Sequence, residues 1–445
     1  MVVKFKRLQN MRKTHITYYL RQINSCILMP FMAILFLLTN TVFNLWINER
    51  METIQNVLTI LIVSSVIFIL LKNVKLNLVP WIKNNVLVII YFLVRIASLL
   101  NSGFEYSVIR SIFFEAFFLI GICKYILNPL KRRNIYITFF LWFDFIIVSL
   151  SILIFILMPY IGKEGQEILI TYTYYKESAK ASLFSNINTA GILSGFSIIF
   201  SMVLYNQNAY NKKVLCFFGV YNTCAMVFFG TRSAYIGVVF TLIFWLIKAI
   251  KKSIDCKKLT IASLCLMMAC LIPIYGMIGY YESKESLSYE PIEEKVSLVS
   301  SFRYSIWKEC YIVQQENLLL GEGSLALEQK ARADLIDNYE EDEIDIRYFI
   351  ASELGPHNGY IGMISGTGWL GFLVFIAILI QRIRRSKSLE SGNWYLLLIF
   401  FFAINCFESL FILNRFFICF YMFLILESDW EKGDETYLDN IKTDK

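Results

Sequence analysis

Twelve apolar runs, most of them 17–24 residues long and each bounded by polar or charged residues, recur along this 445-residue chain. A hydrocarbon layer about 30 Å thick takes roughly 20 helical residues to cross, so runs of this length predict membrane-spanning helices. They cover approximately 26–47, 54–71, 85–101, 107–127, 135–158, 189–206, 213–230, 233–249, 259–280, 359–380, 394–412 and 414–427. The last two are separated only by Leu413-Asn414-Arg415, which reads as a tight hairpin. The expected fold is therefore an all-α, polytopic integral membrane protein of about twelve spans. Composition agrees: 57% of residues are hydrophobic and 17% charged, where water-soluble domains carry about 25% charged residues. Hydrophobicity this high excludes a disordered chain. Nine of the ten cysteines sit in or beside apolar runs, which excludes a disulfide scaffold.

The net charge of +7 is explained by position. Lysine and arginine are retained on the cytoplasmic side of a membrane. The N-terminal segment and every second connection, with Lys72/Lys75/Lys83, Lys131/Arg132/Arg133, Lys212/Lys213, Lys251/Lys252/Lys257/Lys258 and Arg382/Arg384/Arg385/Lys387, hold most of the basic residues. With residues at span ends counted to the adjoining side, this alternation places both termini inside and sorts the 42 basic residues as 27 inward, 13 outward and two within spans, Arg95 and Arg110. The charge is topological, and no nucleic-acid partner is expected. Residues 26–47 are too long and too rich in Phe and Leu for a cleaved signal sequence, so they count as the first span.

Four segments follow: an N-terminal membrane region over 1–280 with an outer loop at 159–188, a large outer loop over 281–358 between spans nine and ten, a C-terminal membrane region over 359–427, and an acidic cytoplasmic tail over 428–445. The large loop holds 17 acidic and seven basic residues and no run long enough to span. Within it Val299, Phe302, Ile306, Cys310 and Val313 recur at helical spacing, predicting an amphipathic helix on the outer leaflet.

Charges are costly in hydrocarbon, so each intramembrane ionisable residue is a functional candidate. Arg95, Arg110 and Glu408 fall toward the outer ends of their spans, and Glu115 and Asp144 lie deeper. An ion pair of Arg95 or Arg110 with Glu115, holding helices in register, is the alternative to a functional role. Three outer positions are more informative. Arg232 lies in the short turn Gly230-Thr231-Arg232-Ser233-Ala234, although a snorkelling arginine would look the same. Arg303 borders the amphipathic stripe. His357, in Gly355-Pro356-His357-Asn358-Gly359-Tyr360, directly precedes a span. The positive end of a helix dipole disfavours a cationic imidazole, which suits a base, and its free N–H groups suit an anion. Two arginines and a helix N-terminus on one surface suggest a phosphate or diphosphate site beside a histidine; a histidine that merely caps the helix is the alternative.

These residues resemble the O-antigen ligase and polysaccharide repeat-unit polymerase superfamily. The resemblance rests, in order, on Asn186-Ile187-Asn188-Thr189-Ala190-Gly191, the Arg232 turn, Arg303 with Trp307, Leu320-Gly321-Glu322-Gly323, and His357-Asn358-Gly359-Tyr360 with Gly366-Thr367-Gly368. It covers about 184–372. It implies a glycosyltransferase in the bacterial cytoplasmic membrane, with its active site on the outer face. Its donor would be an undecaprenyl-diphosphate-linked glycan, its acceptor a glycan hydroxyl, and its surroundings membrane lipid. Arg232 and Arg303, with Arg95 and Arg110 as helpers, would bind the diphosphate, since a guanidinium grips phosphate oxygens bidentately and keeps its charge. His357 would be the general base, and Glu353 could orient or replace it. Asn188, Trp307, Asn358, Tyr360 and Glu408 would contact or orient the glycan. Direct displacement would invert the anomeric carbon. No cofactor or metal is signalled, and the acidic run Asp334–Asp345 reads as a solvated loop. A repeat-unit polymerase leads over a ligase acting on finished polymer; a polymerase would work beside a flippase and a chain-length regulator. A lipid-linked oligosaccharide flippase or transporter is a further alternative, although transporters place their polar sites near the midplane.

Overall fold

The computed structural model describes residues 85–101, 133–157, 187–207, 210–282, 303–321, 357–390, 393–411 and 416–427, together with isolated positions between them. Every extended element among these is helical: α1 (Val86–Asn101), α2 (Arg133–Leu157), α3 (Ile187–Gln207), α4 (Lys212–Phe229), α5 (Arg232–Ile250), α6 (Cys256–Ala269), α7 (Leu271–Glu282), α8 (Arg303–Glu316), α9 (Gly359–Arg385), α10 (Tyr395–Ile404) and α11 (Phe416–Glu427). Six spans among the described residues are long and apolar enough to cross a membrane: Tyr136–Leu157, α3, α4, α5, Cys256–Tyr280 and α9. The helices α1 and α10 are apolar but shorter. Of the earliest predicted spans, 54–71 lies outside the described residues, and only four helical positions of 26–47 fall within them.

The core is organised around α3 and α10. Helix α3 packs against α2, α4, α5 and α10, and α10 also packs against α5 and α6. Every side chain of α10 is buried, in keeping with its uniformly apolar sequence YLLLIFFFAI, which has no polar face to turn outward. By contrast α5 buries Ala234, Val238 and Phe244 and exposes Ile236, Val239, Ile243 and Leu246, the pattern of a helix with one face on the bundle and one on lipid.

One sequence expectation changes, and two elements gain detail. The predicted ninth span, 259–280, falls on the apolar stretch Cys256–Tyr280, which is interrupted at Cys270 between α6 and α7. Pro273 accounts for the break: proline has no N–H to donate, and its ring crowds the carbonyl four residues back, here that of Ala269. The predicted eleventh span stops at Ile404, so Glu408 lies in the turns that follow rather than within a helix. The helix α8 packs onto the bundle. Its apolar stripe packs inward, with Tyr304, Ile306 and Cys310 buried against a bundle face that includes α7 and α9. Its far end reaches Trp369 and Leu370, two to three turns along α9, so it runs beside that span.

That far end fits into a break in α9. Gly368 has φ 65° and ψ 177°, a conformation that interrupts the helix. The N–H groups freed beyond the break, at Trp369 and Leu370, donate to Leu318 O (3.0 Å) and Leu319 O (3.2 Å). Leu320 O and Gly321 O accept in turn from Ser98 Oγ and Asn101 Nδ2 of α1. Non-helical backbone at membrane depth is tolerated only where protein or water satisfies it, and here protein does. Two glycine motifs that the sequence shows separately, Leu320-Gly321-Glu322-Gly323 and Gly366-Thr367-Gly368, thus meet each other.

Candidate functional site

The site is built around one carboxylate. Glu408, with a side chain only 2% exposed, presents Oε1 to Asn188 Nδ2 (2.8 Å) and to Arg303 Nη2 (3.1 Å). Its other oxygen, Oε2, faces His357 Nδ1 at 3.5 Å, the outer limit of a hydrogen bond. Groups from the starts of α3, α8 and α9 therefore converge on the turn after α10. A buried charge requires such compensation, because leaving it unpaired would cost several kcal/mol.

The turn holding Glu408 is fixed by Asn405. Its Oδ1 accepts from Leu410 N and Phe411 N (both 3.0 Å), and its Nδ2 donates to Phe401 O (2.8 Å). Its backbone carbonyl accepts from Gly359 N at 2.7 Å. Only glycine fits at 359, since a Cβ there would stand 2.1 Å from Asn405 Oδ1.

Asn358 caps α9 by accepting from Tyr360 N (3.0 Å) and Ile361 N (3.1 Å), and its Nδ2 donates to Cys406 O (3.0 Å). Tyr360 Oη donates to Phe402 O at 3.0 Å. Both side chains are buried, so their polar atoms hold the frame of the site and do not face open space. His357 is different: its side chain is 22% exposed and its backbone has φ 43°, the only positive φ of a non-glycine residue among those described. Left-handed backbone is costly for a side chain-bearing residue, and such strain concentrates at functional sites. Replacing Asn358 with alanine removes the cap and the tie to Cys406, and is expected to cost about 2 kcal/mol of stability. Thermal unfolding in detergent measures this, with Asn358→Asp restoring the cap but not the donated bond.

Arg232 stands near the same end. Thr231, beside it, is buried: its hydroxyl donates to Ile187 O (3.1 Å), and it fills the space that a Cβ on Gly191 would need. This packs the start of α5 against the start of α3, which carries Asn188. Arg232 itself is exposed and makes no ion pair or hydrogen bond among the described residues. Trp307, one turn after Arg303, is partly buried against the core.

Arg95 is engaged elsewhere. Nε and Nη2 hold Glu115 bidentately (2.8 and 2.9 Å), and Nη1 donates to Gly366 O (3.1 Å). Tyr91 Oη adds a bond to the same carboxylate (3.0 Å). The ion pair considered from sequence thus ties α1 to residue 115 and to the stretch before the α9 break. Asp144 lies away from Glu408. It accepts from Ser197 Oγ (2.6 Å), about two and a half helical turns along α3 from Asn188. Arg110, Glu353 and the acidic run 334–345 lie outside the described residues. Among the described residues no group of three or more His, Cys, Asp or Glu could hold a metal ion.

The sequence alone puts Glu408 within an apolar run, in an orienting role, whereas the structure makes it the point of convergence. The signal available was its position, a carboxylate near one end of an apolar run three residues after an asparagine.

Residues 214–376 match a family model described as O-antigen ligase. The matched stretch includes Arg232, Arg303, Trp307, His357, Asn358, Tyr360 and the α9 break; Asn188 and Glu408 lie outside it and join the site by geometry. No curated protein matches the chain, and no solved structure does.

Proposed function

Proceeding from the O-antigen ligase family domain that this multi-pass membrane protein carries across residues 214–376, we propose that it is a polymerase of lipid-linked glycan repeat units. It acts at the outer face of a bacterial cytoplasmic membrane and builds a capsular or O-antigen-like surface polysaccharide. The observation that carries this reading is the convergence of Asn188, Arg303 and His357 on Glu408, at the same bundle end as the unpaired Arg232.

The donor is a glycan on undecaprenyl diphosphate, anchored at the surface by its lipid. Attack by an acceptor hydroxyl forms a new C–O bond at the anomeric carbon as the bond to the diphosphate breaks, inverting that carbon. The electron pair leaves with the diphosphate. Arg232 and Arg303 hold its oxygens and take up the charge that develops there, so the scheme needs no metal. The proton passes from the acceptor hydroxyl to His357 Nε2. Glu408 opposite Nδ1 fixes the tautomer that leaves Nε2 free, the role a buried carboxylate plays beside a catalytic histidine. At 3.5 Å this contact is long, as catalytic hydrogen bonds often are before substrate tightens them.

Arg95, already bonded to Glu115 and Gly366 O, fits a supporting role better than diphosphate contact. Asn188 orients Glu408, and Trp307 offers a ring to the sugar. Charge-assisted hydrogen bonds contribute about 1.5–3 kcal/mol, so Arg232→Ala is expected to lower kcat/KM for the lipid-diphosphate donor about ten- to hundredfold. Full activity in a normally abundant Arg232→Ala protein would remove this arginine from the site.

The description of the matched family favours a second reading, a ligase that moves finished polymer to a terminal acceptor. Glycan size ladders from a deletion strain separate the two. Loss of a polymerase leaves single repeats, whereas loss of a ligase leaves long polymer on its lipid diphosphate. Transfer by purified protein without any gradient argues against a transporter.

A further inference from the structure

A cleft of about 490 Å³ opens at the bundle end opposite His357, lined by Asp255, Lys257, Lys258, Ile261, Ala262 and Arg384. The distance follows from α9, which begins two residues after His357 and carries Arg384 at its far end; 27 helical residues extend about 40 Å. Asp255 is occupied as the N-cap of α6, accepting from Lys257 N at 2.8 Å. Lys257 is occupied too, with Nζ against Glu390 Oε1 (2.5 Å) and Arg384 O (3.0 Å), which ties the start of α6 to the end of α9. Lys258 and Arg384 remain: both are exposed, and neither side chain has an acidic partner among the described residues. Two unpaired cations thus border a cleft whose remaining wall, Ile261 and Ala262, is apolar.

The apolar wall does not stop at the cleft. Ala262, Cys265, Leu266 and Ala269 are exposed along one face of α6, at the spacing of a single helical stripe. Three of the four are small, leaving a shallow track that leads from the cations into the hydrocarbon layer. A ligand matching both parts bears a phosphate ester anion and an acyl chain.

We propose that this cleft binds the phosphate of an anionic phospholipid, with its acyl chain lying along the Ala262–Ala269 face of α6. The site is independent of the glycosyl-transfer reading and stands at the opposite membrane surface. Each basic residue near an anionic lipid surface contributes roughly fivefold in affinity, so losing both free cations weakens binding by about 25-fold.

The test uses the full-length protein in detergent, titrated separately with phosphatidylglycerol, phosphatidylcholine and inorganic phosphate and read by native mass spectrometry. Phosphatidylglycerol is expected to be retained by the wild type and about 25-fold more weakly by the Lys258→Gln/Arg384→Gln variant. Both substituted side chains are exposed and unpaired, so the fold should be unaffected. Lys251→Gln/Lys252→Gln, at the same end but outside the cleft, is expected to bind as the wild type does. Equal retention of phosphatidylcholine, or an equal loss in the Lys251/Lys252 variant, would overturn the proposal by pointing to detergent replacement or a diffuse surface charge. Inorganic phosphate that displaced the lipid at matching concentration would overturn it as well, by assigning the cleft to phosphate from solution.

Discussion

Substituting His357 lowers glycan transfer by roughly 10²–10⁴-fold while leaving folded protein in place, the range expected when a positioned general base is lost. Asparagine is the informative replacement. It tolerates the positive φ of this position better than most residues, so the backbone at 43° is kept while the imidazole is removed. The paired expectation concerns Glu408. Glutamine there keeps the volume but removes the charge that faces Arg303 and His357, and it should lower the rate through the histidine. If Glu408 acts by fixing His357, the double variant His357→Asn/Glu408→Gln is no slower than His357→Asn alone, because residues acting as one unit are not additive. A pH–rate profile gives the second readout: the limb belonging to the base should move in Glu408→Gln and vanish in His357→Asn. Additive losses, or an unmoved limb, would separate Glu408 from the proton transfer and leave it as a partner of Arg303 alone.

What sequence could supply depends on how local each feature is. Spans are local, because an apolar run bounded by charge declares itself within 20 residues, and α3, α4, α5 and α9 begin and end close to where those runs do. His357 stood out because it was one of two histidines and came directly before such a run. Features that depend on partners far along the chain were less legible. Glu408 meets Asn188 from 220 residues away and Arg303 from 105 residues away. The position of Glu408, near one end of an apolar run and three residues after an asparagine, suits a snorkelling carboxylate equally well, and a stop to the helix at Ile404 is invisible because the apolar run continues past it. The spacing on α8 marks an apolar face, and Ile306 and Cys310 of that face are buried against the bundle. Periodicity reveals that a helix has an apolar face without saying whether lipid or another helix covers it. Glycines were the most ambiguous: Gly321 and Gly368 could have marked flexible turns, and their mutual contact emerges only in three dimensions.

That contact carries the largest expected effect on stability. Alanine at 368 would place its Cβ 2.1 Å from Leu319 O and 2.2 Å from Leu319 C, both backbone atoms that cannot rotate away. The position also has φ 65° with ψ 177°, a region used almost solely by glycine. Strain and collision together are expected to cost at least about 3 kcal/mol, enough to unseat the 318–321 turn. Trp369 N and Leu370 N would then lose Leu318 O and Leu319 O inside the bundle, so the damage spreads beyond one residue. Gly368→Ala should show sharply reduced folded abundance and early proteolysis within the segment after α8, and Gly321→Ala, whose Cβ would stand 2.4 Å from Gly368 N, should behave alike. Wild-type abundance and Tm in both variants would mean that the turn does not sit in the break. The consequence for chemistry follows from α8, which carries Arg303 at its first residue and this turn at its end. Whatever fraction of Gly368→Ala folds has α8 anchored only at the Glu408 end, so it should show a raised KM for the lipid-diphosphate donor. A break deep in one span thereby positions a cation at the site.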